Sequence, residues 1–189
     1  MDAIRTLSDV CDLIRNGETD RGKQLLSREM PFQPVRRNFR RYSKSQMLDL
    51  FLRDGFVDRY SGEKLVFPPV LRIISYLFPT EFPFHPNWKM SECHMAYWYL
   101  MPTLDHIVPV ARGGADDPSN WVSTSQMRNS IKSGWLLSEL GWELHPAGSI
   151  DEWDGLLGWA IEYCRANPGI LENSYIESWC KAYEAVALP

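Results

Sequence analysis

A glycine pair, Gly113-Gly114, divides the most informative stretch of this chain and limits how its two sides can fold. The apolar run at residues 104–110 predicts a short strand before the pair, and residues 120–122 predict a brief return strand after it. Paired glycines favour a turn, because glycine adopts backbone angles that other residues resist. Residues 123–125 then offer a helix N-cap, and residues 126–132 predict the helix itself. The expected order is strand, loop, strand and helix.

Polar side chains recur along all of these elements. Asp105 and His106 are neighbours in the first strand, Asn120 opens the second, and Asn129 and Lys132 lie in the helix. Carboxylate and amide oxygens are ligands for hard cations such as Mg²⁺, and a neutral imidazole accepts a proton at cellular pH. Neighbouring strand residues point to opposite faces. Either a twist brings Asp105 and His106 to one site, or each serves its own side of the hairpin.

This pattern resembles the HNH nuclease motif over about thirty residues. The matching residues are Asp105-His106 with the following Ile-Val-Pro, Gly113-Gly114, Asn120, Asn129 and Lys132. The resemblance implies a β-hairpin and a helix that clasp one divalent metal ion, Mg²⁺ or Mn²⁺, in each active site. It also implies that Asp105 and Asn129 are metal ligands, that His106 is the general base, and that Asn120 accepts a hydrogen bond from the imidazole and orients it.

The activity implied by the resemblance is metal-dependent hydrolysis of DNA phosphodiester bonds by a single-metal endonuclease. The motif often has histidine where this chain has Asn129, and fewer nitrogen ligands favour Mg²⁺ or Mn²⁺ over Zn²⁺. Two alternatives stay open: a DNA-binding module that keeps the fold without catalysis, and a nuclease directed at RNA. Cutting both strands needs two active sites or a rearrangement, so symmetry makes a homodimer one expectation.

Many HNH proteins carry two C-x-x-C knuckles that hold structural zinc, and this chain departs from that pattern. Tyr60-Ser61-Gly62 stands at the first knuckle, and Ser125 and Arg128 stand at the second. None of these is a good zinc ligand, so we expect no structural zinc and a scaffold held by packing. The four cysteines are scattered, which favours reduced thiols and a cytoplasmic protein.

Charge is polarised along the chain, although the net charge is only −4. Residues 21–64 hold eleven Lys and Arg against five Asp and Glu, whereas residues 146–189 hold seven acids and two bases. The densest basic run is interleaved with aromatic residues, and either contacts DNA phosphates or is a solvated arm. The expected phosphate contacts are Arg36, Arg37, Arg40, Arg41, Arg112, Arg128 and Lys132.

The predicted fold class is α+β and mainly α, with a small β-hairpin and helix embedded in a helical scaffold. We divide the chain into a helical hairpin at residues 1–31, a nuclease core with its basic arm at 32–145, and a helical extension at 146–189 that braces the core or forms a dimer surface. Further helices are predicted at residues 45–55, 69–78, 91–101, 135–144, 151–166 and 174–188. No apolar run approaches the roughly 20 residues that span a bilayer, and the N-terminus does not resemble a signal peptide.

Overall fold

The computed structural model describes residues 2–32 and 40–187, which are mainly helical with one two-stranded antiparallel sheet. This confirms the predicted α+β class. Within the described residues, no helix is both long enough and apolar enough to cross a membrane. The elements are α1 Ala3–Arg15, α2 Thr19–Glu29, α3 Lys44–Arg53, α4 Pro68–Leu77, α5 Ala96–Leu100, β1 Pro102–His106, β2 Trp121–Ser125, α6 Gln126–Lys132, α7 Leu137–Leu140, α8 Leu157–Ala166 and α9 Ser174–Ala187.

The chain folds as two compact units, residues 1–38 and 39–189. The first contains α1 and α2, which pack against each other as the predicted helical hairpin. Asp2 caps α1 by accepting a hydrogen bond from the Arg5 amide, and the turn between the helices passes through Gly17 with φ +77°. Glycine suits that turn, because other residues resist a left-handed backbone.

The core of the second unit lies between helices that are far apart in sequence. Pro68 opens α4 at a position where its missing N–H is not needed. The C-terminal helix α9 packs against α3 and α4, and Trp179 of α9 meets Phe51 and Phe67 at ring distances of 6.1 and 5.9 Å. The C-terminal helices therefore share one hydrophobic core with the elements that carry the hairpin.

The β-hairpin and α6 form without any intervening linker. Strands β1 and β2 pair in antiparallel register, with His106 opposite Trp121 and Asp105 opposite Val122. Ser125 ends β2 and also caps α6, since its hydroxyl accepts a hydrogen bond from the Arg128 amide. The helix has the predicted bounds. The first strand begins and ends earlier than predicted, and the second runs three residues further.

Three predicted helices are shorter in the structure. Residues 91–95 stay outside α5, where the His94 amide donates to the Pro83 carbonyl and the imidazole accepts from the Ala96 amide. Only Leu137–Leu140 is helical in the region 135–144. Helix α8 begins at Leu157, because Gly155 and Leu156 have left-handed backbones at φ +70° and +62°. Apolar periodicity cannot reveal such tertiary hydrogen bonds and turns.

Candidate active site

Asp105 lies on the α6 side of β1 and is nearly buried. One of its oxygens, Oδ2, accepts hydrogen bonds from the Tyr60 hydroxyl at 2.8 Å and from the Lys132 ammonium at 2.9 Å. The Lys132 ammonium also donates to the His106 carbonyl at 2.6 Å, and the side chain is fully buried. The prediction that Lys132 contacts phosphate is therefore wrong for this structure. It is a buried cation that joins α6 to β1.

Asn129 projects from α6 toward the same strand. Its Nδ2 lies 3.4 Å from the Thr103 hydroxyl and 3.3 Å from the Leu104 carbonyl, so the amide presents its nitrogen to β1. The amide oxygen consequently points away from the strand. Among the described residues, neither this oxygen nor Oδ1 of Asp105 takes part in a hydrogen bond, and neither is a sealed, unpartnered atom.

These two oxygens are of the donor type that hard divalent cations prefer. Mg²⁺ is commonly bound by one or two protein oxygens and completes its octahedron with water and substrate phosphate. Within residues 2–32 and 40–187, no three His, Cys, Asp or Glu side chains cluster as a larger metal site. Asp105 and Asn129 offer oxygen donors, whereas structural Zn²⁺ sites are closed shells of mainly nitrogen and sulfur ligands.

His106 points away from Asp105, as neighbouring strand residues do in regular geometry. Its ring lies against the loop between the strands and is nearly buried. Nε2 lies 2.8 Å from Oδ1 of Asp116, 3.2 Å from Nε1 of Trp121 and 3.4 Å from the Tyr42 hydroxyl. The side chains of the Asp-His pair thus lie on opposite sides of the hairpin, each with its own partners.

The partners of the ring decide its tautomer. Oδ1 of Asp116 also accepts hydrogen bonds from the Tyr42 hydroxyl at 2.7 Å and from Trp121 Nε1 at 3.2 Å. A hydrogen bond to a charged group contributes about 1.5–3 kcal/mol, against about 1 kcal/mol for a neutral pair. The shorter contact to the carboxylate therefore outweighs an indole donor to Nε2. In this arrangement Nε2 carries the proton and Nδ1 keeps its lone pair.

The same hydrogen bonds alter the acidity of the cluster. The pKa of Asp116 lies below its ordinary range, chiefly because Tyr42 donates to it and further because His106 and Trp121 do. Burial raises the pKa of Tyr42 to about 12, and the adjacent Asp116 carboxylate adds to this increase. Asp116 therefore remains charged and Tyr42 remains a donor throughout the neutral range.

Asn120 does not hold the imidazole, and that prediction is wrong for this structure. Its Nδ2 donates to the carbonyls of Val108 and Ala115 at 2.9 and 2.7 Å, and its Oδ1 accepts from the Val108 amide at 2.9 Å. The amide oxygen that was expected to accept from the imidazole is engaged by Val108, and none of the side-chain hydrogen bonds reaches His106. Asn120 instead pins the two ends of the loop that carries Gly113-Gly114.

The predicted phosphate contacts fall into three groups. Arg36 and Arg37 lie outside the described residues. Arg40 lies 3.7 Å from the Asp116 carboxylate, and Arg41 is exposed beside it. Arg112 is paired with Glu139 at 2.8 Å, and the Arg128 guanidinium packs 5.1 Å from the Trp142 ring. Of the predicted contacts that the structure describes, Arg40 and Arg41 lie next to the His106 cluster, whereas Arg112 and Arg128 are engaged by Glu139 and Trp142.

Two buried carboxylates that the sequence analysis missed fix β2 beside the turn at residues 58–62. Asp54 accepts from the Ser123 amide at 2.7 Å. Asp58 accepts from the Thr124 hydroxyl at 2.9 Å and the Ser125 amide at 2.8 Å, and also from the Tyr60 amide at 2.9 Å. These hydrogen bonds join the segment around Tyr60 to Ser125 at the end of β2. The sequence feature that could have indicated these anchors is the pair of acidic residues, Asp54 and Asp58, beside a short turn.

Asp116 and Tyr42 were also missed as site residues. Asp116 stands in Asp-Asp-Pro-Ser, which predicts a turn, and Tyr42 stands in the basic run. No local pattern links residues 42, 106 and 116, because the fold alone brings them together. No family model, curated protein or solved structure matches this chain, so its site is known from its own residues.

Proposed function

We propose that this protein is a metal-dependent endonuclease of the HNH type that hydrolyses DNA. The observation that carries the proposal is the combination, on one hairpin and one helix, of two free hard oxygens and a histidine with a fixed ring. The oxygens belong to Asp105 and Asn129. The ring is that of His106, whose Nε2 is tied to a carboxylate.

A divalent cation bound by Asp105 and Asn129 would stabilise the extra negative charge that develops on a phosphodiester under attack. In this proposal, the protein residues position the reacting groups and move the proton. His106, on the other side of β1 from Asp105, would accept the proton of the attacking water at Nδ1, because Nε2 donates to Asp116. The scissile phosphate would then have to lie between the cation and the ring. Tyr60 and Lys132 keep Asp105 in place through Oδ2 and leave its other oxygen available.

DNA is the proposed substrate because basic residues adjoin the site. Arg40 and Arg41 immediately precede Tyr42, which contacts the Asp116 carboxylate beside His106. Cations beside the reacting phosphate neutralise backbone charge without reading base sequence. Both arginines belong to residues 21–64, where Lys and Arg outnumber Asp and Glu in a chain that is acidic overall. This arrangement suits a polyanionic partner better than a neutral one.

A plasmid cleavage assay tests the proposal. Purified protein is incubated with supercoiled DNA in Mg²⁺, in Mn²⁺ or with EDTA, and wild type is compared with His106→Ala. His145→Ala is the matched control, since its imidazole is exposed and only its backbone bonds to Arg59. We expect metal-dependent nicking or linearisation that His106→Ala abolishes and His145→Ala retains. Equal cleavage by wild type and His106→Ala would contradict the proposed base.

The Lys132–Asp105 ion pair favours a second candidate, a DNA-binding module without catalysis. The buried ammonium already neutralises the carboxylate at 2.9 Å, which weakens its attraction for a cation. Retention of DNA in a gel shift with no cleavage in any metal would favour this candidate. The same assay with single-stranded RNA and DNA substrates tests whether the nuclease acts on RNA instead.

A further inference from the structure

We propose that Asp116, in the loop between β1 and β2, is the positioning residue for His106, and that Tyr42 positions Asp116. The role expected of the motif asparagine is thereby moved to a carboxylate on the opposite side of the loop. The proposal deepens the nuclease assignment, and only its kinetic consequence rests on that assignment. The tautomer and the ring orientation are properties of the protein alone.

Three hydrogen-bond donors converge on a single carboxylate oxygen of Asp116. Oδ1 of Asp116 receives the Tyr42 hydroxyl at 2.7 Å, His106 Nε2 at 2.8 Å and Trp121 Nε1 at 3.2 Å. An exposed aspartate that served only solubility would not collect three donors from three different segments of the chain. The carboxylate group is partly exposed, with 37% of the side chain accessible, whereas the histidine side chain is 9% accessible.

Asp116 is the best-placed acceptor for the hydrogen on Nε2 of His106 among the described residues. The side-chain amide of Asn120 is hydrogen-bonded to the backbone of Val108 and Ala115. Trp121 is a donor only, so it cannot accept a proton from Nε2. The Tyr42 hydroxyl donates to Asp116 at 2.7 Å, and its oxygen lies 3.4 Å from Nε2, farther than the 2.8 Å between Nε2 and the carboxylate. Among the described residues, Asp116 is the acceptor that fixes Nε2–H.

Tyr42 connects the basic arm to helix α3 and to the His106 cluster. It follows the basic residues Arg40 and Arg41 directly and precedes Ser43, which caps α3 with a complete capping box. Its ring also packs edge-on against Trp121 at 5.2 Å. The end of the basic arm is thus built into the cluster that orients His106. The position of the basic arm and the orientation of the His106 ring therefore depend on the same carboxylate, that of Asp116.

Long-range ¹H–¹⁵N correlation spectra of the histidine rings provide the first test. Spectra are recorded near pH 8, above the ordinary imidazole pKa of about 6.5, and His106 is assigned by comparison with His106→Ala. We expect the Nε2–H tautomer in wild type. Asp116→Asn should mix in or favour the Nδ1–H tautomer, because an amide can present its NH₂ to Nε2. An Nδ1–H wild type, or no change in Asp116→Asn, would overturn the proposal.

Asp117→Asn is the matched control. Asp117 is the next residue, and its Oδ1 caps the following turn by accepting from the Ser119 amide at 2.9 Å without touching His106. An asparagine oxygen can accept the same hydrogen bond, so the His106 tautomer should be unchanged. Tyr42→Phe removes the donor to Asp116 and should produce a smaller tautomer change than Asp116→Asn. A change as large in Asp117→Asn would overturn the assignment to Asp116.

Kinetics provide the second test. A general base contributes roughly 10²- to 10⁴-fold to a rate, so loss of its positioning should lower kcat by about 10- to 100-fold. KM for DNA should change less than kcat in Asp116→Asn, because the substitution removes no basic side chain and only releases Arg40 from its ion pair at 3.7 Å. A rise in KM with unchanged kcat would overturn the positioning role. If wild type does not cleave DNA but the tautomer responds as expected, the nuclease assignment fails and the positioning role stands.

Discussion

Replacement of Lys132 by methionine should lower the free energy of unfolding of residues 39–189 by about 3 kcal/mol. The substitution keeps the volume of the side chain but removes two hydrogen bonds from its ammonium, to Asp105 and to the His106 carbonyl. Each hydrogen bond to a charged group contributes about 1.5–3 kcal/mol. Asp105 keeps its bond from Tyr60, so the loss should lie at the lower end of the range.

Urea unfolding followed by tryptophan emission measures this loss. All eight tryptophans lie at residues 88–179, so the signal reports the second unit. With a urea dependence of about 1–3 kcal/mol per molar, the midpoint should fall by roughly 1–3 M. Lys181→Met is the matched control. Lys181 pairs with Glu177 one turn away on α9, and both side chains are exposed, so its loss should be below about 0.5 kcal/mol.

Two results would refute the reasoning. Equal midpoints for Lys132→Met and Lys181→Met would mean that the ammonium is not part of a buried pair. Full additivity in the double variant Asp105→Asn, Lys132→Met would mean that the two side chains do not interact. We expect the double variant to lose less than the sum of the single losses, because a neutral amide no longer leaves a buried charge without a partner.

Three further predictions concern the loop, the β2 anchor and pH. Gly114→Ala should lower Tm more than Gly113→Ala, because an added Cβ at Gly114 would stand 1.9 Å from a carbonyl oxygen. Gly113, at φ +91°, has open space and carries only the left-handed penalty of about 1 kcal/mol. Asp58→Asn should cost about 2 kcal/mol in urea unfolding, since its NH₂ would face an amide donor or leave one without an acceptor. The pKa of Asp116 is lowered, chiefly by Tyr42. Wild type should therefore be more stable than Asp116→Asn above the ordinary aspartate pKa of 3.8, and this difference should disappear as pH falls through the lower pKa of the folded state. Urea midpoints measured between pH 6 and pH 2.5 can follow the change.

Local signals predicted the hairpin and α6 well. Ser125 is a good N-cap, the apolar runs flank a glycine pair, and α6 has the bounds that these signals predict. The glycine pair works for two reasons, of which the sequence indicated one. Gly113 supplies the left-handed angle, whereas Gly114 is needed because the Val108 carbonyl and the Asn120 amide occupy the space of a side chain.

Tertiary contacts explain the predictions that were wrong. Lys132 was expected at the surface, yet it is three residues after Asn129 and so shares its face of α6. Since Asn129 faces β1, Lys132 must also reach the strand, and helical spacing could have indicated this. Asp116 could not be identified in this way. Its role depends on Tyr42, which is 74 residues away along the chain.

No residue separates β2 from α6, because Ser125 both ends the strand and caps the helix. This direct junction determines where the chain can tolerate insertions. One residue added at this junction would rotate every following α6 side chain by about 100° about the helix axis. Asn129 would turn away from β1 and Lys132 would lose Asp105, while both elements could still form. An added residue next to Gly113, where the structure leaves open space, would only lengthen a surface loop. Length variation among descendants of this chain should therefore accumulate in that loop and be excluded from the strand-helix junction.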